Sequence, residues 1–157
     1  VSALGACIGA VVGLVAITPA AGYVSVSEAI FFGFIASMVS NSIVNWDRMQ
    51  KLDDTLDVFA CHGVGGIMGM ILTAIFAHGE GSSLLHGIGG NLGWDIFGHH
   101  MIALLTVSVF TFGGSWLLYK LTNMIIPLRV SEESEYIGLD ISQHGEQMGP
   151  YSDTSLE

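Results

Sequence analysis

Histidine is the residue through which this chain could do chemistry at neutral pH. Six are present, at 62, 78, 86, 99, 100 and 144, each offering two ring nitrogens and an ordinary pKa near neutrality. His62 lies in the uncharged stretch Asp57-Val-Phe-Ala-Cys-His-Gly-Val-Gly-Gly-Ile-Met-Gly69. At 100° per residue, Val58, Gly65, Gly66, Gly69 and Thr73 fall within about 60° of it. Val64, Ile67, Met68, Ile71 and Ile75 fall about 140° to 240° away. This predicts a small, weakly polar face that aims His62 at packed protein or a cavity. Two readings follow: a neutral histidine hydrogen-bonded across helices, or a proton relay that accepts on one nitrogen and donates from the other. Asp57 is five residues earlier, about 140° around the helix, so it pairs with His62 from neither face. It belongs to the mouth of the segment, where it caps a helix, anchors a loop or stabilises a cation, with the structural role favoured.

The remaining histidines do not form a metal pattern. His99 and His100 are adjacent and diverge on a helix, and no Glu-x-x-His or His-x-x-x-His pair joins them to His78 or His86. They read as solvated or interfacial. Cys7 and Cys61 sit in apolar runs and read as small hydrophobes. No nucleophile elbow, phosphate loop or dinucleotide fingerprint is present. Neither a metal nor a cofactor is expected, and an enzyme using the histidines with a metal ranks low.

The elements that must position His62 follow from where charge is missing. The chain is 51% hydrophobic and 11% charged, against about a quarter charged in soluble domains. Residues 1–27, 29–46, 58–79 and 96–119 carry no charge. A crossing helix needs about 20 apolar residues, which predicts spans at 28–47, 56–78 and 98–126, with a shorter or truncated one at 2–17. The fold class expected is all-α, a polytopic transmembrane bundle over residues 1–127. Thr18-Pro19-Ala20-Ala21-Gly22 ends the first segment, and Asp53, Asp54 or Thr55 can cap the third. Gly5, Gly9 and Gly13 recur every four residues, a stripe that lets a partner helix approach closely. The loop 79–95 is Gly-rich, and its Trp94 suits a membrane interface.

Arg48, Lys51, Lys120 and Arg129 are the only basic side chains. Alternating crossings put all four on one side, which the positive-inside rule makes cytoplasmic. The C-terminus is then cytoplasmic in a multi-pass cell-membrane protein. Residues 128–157 hold seven acidic side chains against Arg129 alone and read as an acidic cytosolic tail. With a formal net charge of -10, binding to nucleic acid is excluded. The chain opens on Val1 with no basic region before its apolar start, which argues against a signal peptide and for a piece of something longer.

Four ordered motifs give a more specific reading. Gly13-Leu-Val-Ala-Ile-Thr-Pro-Ala-Ala-Gly22, Asp53-Asp-Thr-Leu-Asp-Val-Phe-Ala-Cys-His-Gly-Val-Gly-Gly66, Arg129-Val-Ser-Glu-Glu and Gly138-Leu-Asp-Ile-Ser-Gln-His-Gly145 resemble the ammonium transporter family, which includes the methylammonium permeases and Rhesus proteins. The resemblance covers almost the whole chain, and the tail motif favours the ammonium transporter branch. It implies an eleven-helix protein forming a homotrimer, each subunit with its own narrow apolar pore lined midway by two histidines from different helices. On that pattern His62 matches the second pore histidine, Val58 an apolar pore-lining position and Asp57 the acidic residue opening the tenth helix. The chain resembles the C-terminal two fifths, from part of the eighth helix through the tail. The first pore histidine, the external aromatic recruitment site and the phenylalanine gate belong to earlier helices.

The function so implied is an ammonium channel or transporter that strips the proton from ammonium and conducts ammonia past a buried histidine relay, with lipid as its surroundings. A non-conducting ammonium sensor or regulatory membrane subunit of the same family is the alternative. The tail would pack beneath neighbouring subunits and answer to a cytosolic regulator or to phosphorylation. Ser142 sits where some relatives carry a phosphorylated threonine, although an ordinary polar serine reads as well.

Overall fold

The computed structural model describes residues 3–46, 49, 51–78, 84–85 and 91–146. Among them every regular element is helical. Arg48, His86 and the end of the tail lie outside the described residues, as does most of the loop 79–95. The chain divides into two compact units, residues 1–108 and 109–157.

In the first unit α1 (Ala3–Ile17) runs into a single 3-10 turn, Thr18–Ala20. Pro19 cannot donate into a continuing ladder, and Gly22 takes φ +84°, a conformation that any Cβ would oppose. The chain then enters α2 (Val26–Val44) through a capping box. The Glu28 amide donates to Ser25 Oγ at 3.4 Å, and the Ser25 amide donates to Glu28 Oε2 at 2.7 Å. A π-helical turn, Phe59–Val64, leads without a break into α3 (Gly65–Phe76). Helix α4 covers Asn91–Ile125, 35 residues or about 50 Å.

Val26–Val44, Phe59–Phe76 and Gly93–Ile125 are each long and apolar enough to cross a membrane, and Gly5–Ala20 is a shorter apolar helix. The helix holding the predicted span 98–126 starts seven residues before that span, at Asn91.

Helices α1, α2 and α3 pack on one another through small residues in one cluster and through larger ones in a second. One cluster joins Val12, Ala16, Ala36 and Cys61; another joins Ala20, Phe32 and Leu72, with Ile17, Ile35 and Phe76 at its edge. Close approach replaces bulk, as expected where lipid is as apolar as the helix surface. Part of the glycine stripe of α1 meets α2 in this way: a Cβ on Gly13 would lie 3.8 Å from the Gly33 Cα, while the Gly9 carbonyl accepts from Ser37 Oγ at 3.2 Å. Helix α3 sits closer still to α1. A Cβ on Gly69 would overlap the Ala16 carbonyl oxygen and stand 3.0 Å from its carbon, so only glycine fits without a shift.

In the second unit, the side chains of α4 beyond Ser108 are exposed except at Gly114. Leu128 N donates to Asn123 Oδ1 at 3.0 Å, turning the chain out of the helix. Then α5 (Glu132–Ile137), capped by Ser131, is followed by a second π-helical turn, Asp140–His144.

Candidate functional site: a histidine-lined cavity

The site is built from the start of the third apolar span. Asp57 holds φ +52°, the only non-glycine residue with positive φ among the described residues; aspartate is one of the few side chains that tolerates this region. This kink delivers the chain to the helix, and the Asp57 carbonyl accepts from Cys61 N at 2.9 Å. The capping is done by Asp54, whose Oδ1 and Oδ2 accept from the Val58 and Phe59 amides at 2.9 and 2.8 Å. Asp57 contributes its backbone; its half-buried carboxylate has no hydrogen-bond or ion-pair partner among the described residues.

The helical wheel fails at this point, for a physical reason. Residues in a π-helical turn bond i to i+5, so each advances by less than 100°, and the register drifts between His62 and the helix beyond. Gly65 and Gly69 are buried against α1 and Thr73 is buried too, whereas His62 is exposed on a different face with Gly63, Gly66, Ile67 and Met70. Ile67, expected opposite His62, shares its surroundings. These residues form one wall of an open cavity of about 540 Å³, completed by Val15, Thr18 and Pro19 and by Leu104 and Ser108 of α4.

Apart from His62, the cavity side chains among the described residues that carry a nitrogen or oxygen are Thr18 and Ser108, and Thr18 Oγ1 already donates to Leu14 O at 2.7 Å. A cation entering would find few ligands to replace its water, whereas the imidazole offers one acceptor or donor on an otherwise greasy wall. Val58 is half exposed but does not line this cavity.

The other histidines separate. His78 Nε2 lies 2.7 Å from Glu28 Oε2, and the His78 amide donates to Tyr23 O. That pairing fastens the end of α3 to the start of α2 while the side chain stays exposed. His99 is exposed and His100 half-buried on α4. Among the described residues no group of three His, Cys, Asp or Glu side chains could hold a metal.

In the tail, Arg129 clasps Glu135 through two bonds, Nε to Oε1 at 2.8 Å and Nη2 to Oε2 at 3.0 Å. This contact holds the Glu135 carboxyl below the usual carboxylate range. Ser142 is half-buried, and its hydroxyl donates to the Ser134 carbonyl at 3.2 Å, joining the second π-helical turn to α5. Sequence alone pointed to Ser142 through its motif and to none of its partners.

Residues 1–148 match the model of the Ammonium Transporter Family. Over 143 residues the chain is 37% identical to Ammonium transporter Amt1 of Archaeoglobus fulgidus, covering 91% of this chain and 36% of that one. An ammonium transporter of Aquifex aeolicus is 42% identical over 143 residues, covering 88% and 32%. The crystal structure of Candida albicans Mep2 superposes with a TM-score of 0.66 at 30% identity, over 82% of this chain and 30% of that one. The chain belongs to the ammonium transporter family, a family of transporters rather than enzymes, and is a multi-pass membrane protein. It spans about a third of the length of these relatives.

Proposed function

We propose that this chain supplies part of the conduction path of an ammonium transporter, with His62 as the group that handles the proton. The observation that carries the reading is the placement of one imidazole on the wall of a cavity with otherwise apolar or hydroxyl-bearing lining. Ammonium and potassium are similar in charge and size, so a polar pore would admit both. An apolar passage imposes a desolvation cost on either ion. Ammonium alone can escape that cost by leaving its proton behind and crossing as ammonia. The proton then needs a separate carrier, and an imidazole that accepts on one nitrogen while releasing from the other serves. A second histidine would come from a part of the transporter outside these 157 residues. Val58, one turn before His62, would lie along the approach, and Asp57 would keep the mouth in shape.

In the same reading the transporter is a homotrimer in the cell membrane with its C-terminus in the cytoplasm, and residues 128–157 form the cytosolic tail, open to a regulator there. Phosphorylation of Ser142 would remove its bond to Ser134 and add negative charge two residues from Asp140, loosening the second π-helical turn from α5. Ser142→Asp in a transport-competent protein containing this chain should change uptake of labelled methylammonium; unchanged uptake rejects the switch. The main test is His62→Ala or His62→Asp in that protein. Uptake should be lost, or potassium should begin to permeate, and wild-type uptake with wild-type selectivity would overturn the relay.

A further inference from the structure

Only two polar side chains are fully buried among the described residues, Ser40 and Thr73. Thr73 Oγ1 donates within its own helix, to Gly69 O at 2.7 Å. Ser40, 1% exposed, instead reaches from α2 across to the π-helical turn and donates to the Ala60 carbonyl at 2.8 Å. Ala60 is itself 1% exposed and lies two residues before His62. Among the described residues, no other side chain donates to a carbonyl of that turn.

The contact sits where the helix is weakest. A π-helical turn interrupts the regular i to i+4 ladder. In a bilayer no water is at hand to satisfy a loosened carbonyl, so irregular turns persist where a neighbouring helix supplies a Ser or Thr hydroxyl. Ser40 is such a hydroxyl, and the turn it touches sets the direction of His62. One helical turn before Ser40, Ala36 packs on Cys61 of the same turn, so α2 grips it by a polar and an apolar contact together.

We propose that Ser40 is a positioning residue for His62, its hydroxyl holding open the π-helical turn that points the imidazole into the cavity. This rests on the reading of His62 as the proton-handling group. Without the hydroxyl the turn relaxes toward a regular helix, and His62 rotates toward the face that packs on α1.

The test uses methylammonium uptake by a transport-competent protein containing this chain, with membrane abundance measured beside it. Ser40→Ala should lower the maximal rate about fivefold while leaving abundance unchanged and KM within about twofold. Ser40→Thr, which keeps the donor, should restore the rate. A wild-type rate in Ser40→Ala, a loss that tracks abundance, or a loss that Thr does not rescue overturns the inference. The two readings fail separately. If His62→Ala abolishes uptake while Ser40→Ala leaves it intact, only the positioning role falls; if His62→Ala leaves uptake intact, the relay reading falls and this inference with it.

Discussion

Two histidines stand near opposite ends of the third apolar span, and their surroundings could hardly differ more. His78 has a carboxylate at 2.7 Å and ties two helices together at the surface. His62 has no acidic neighbour in its cavity among the described residues and shares it with Gly66, Ile67 and Met70. An imidazole locked to a carboxylate serves as a fastener, whereas one facing an open apolar space keeps a nitrogen free for a passing ligand. Residue type is the same in both; the backbone around each decides what it can do.

The sharpest way to break this contrast is to remove each imidazole in turn. His62→Ala should reduce ammonium uptake by roughly a hundredfold, while His78→Ala should leave the rate near wild type; equal losses would mean that the two are not different in kind. Next in size is a pair of glycine changes on α3. Gly69→Val drives a side chain into the Ala16 backbone and should destabilise the protein by about 1–3 kcal/mol, seen as reduced abundance in detergent. Gly66→Ala, whose Cβ meets only Val15 Cγ1 at 4.0 Å, should fold normally and narrow the cavity, lowering uptake without lowering abundance.

For the fastener itself, Glu28→Gln should cost little, since water screens a pair at the surface; a small drop in the thermal unfolding temperature would register it. The smallest effect belongs to the tail. The Glu135 carboxyl titrates below its unfolded value because Arg129 bonds it, so its contribution is present above the unfolded carboxylate pKa and fades as pH falls through the lower folded value. The protection of α5 amides against hydrogen exchange, taken relative to their intrinsic rate at each pH, should therefore fall in acid, and Arg129→Ala should remove that pH dependence.

Much of the fold was legible because its signals are local. Uncharged runs near the length of a bilayer marked the helices, and Pro19 with Gly22 marked the turn after α1. His62 stood out because an ionisable residue amid glycines in an apolar run is costly to keep. Its direction was legible only in part: a cavity and Gly66 beside it were expected, Ile67 was not. The wheel assumed a regular helix, and nothing in Phe-Ala-Cys-His-Gly-Val announces a π-helical turn; what marks it is a hydroxyl 20 residues earlier, on another helix. The Glu28–His78 pair was hidden in the same way, since its partners are 50 residues apart. Asp54 could be narrowed only to three candidates, because any of Asp53, Asp54 and Thr55 offers an oxygen. The local course of the backbone, which brings the Asp54 oxygens to the Val58 and Phe59 amides, selects among them.

The two aspartates before the third span also bear on how the sequence can vary. Asp54 grips the first amides of the helix and Asp57 makes the kink four residues before Cys61, so the depth of His62 is measured from Asp54 and not from the end of α2. The connection after α2 can therefore gain or lose residues with little effect on the site. A single insertion or deletion between Asp54 and His62 would rotate the imidazole by somewhat less than about 100° and carry it out of the cavity. Length is free on one side of Asp54 and fixed on the other.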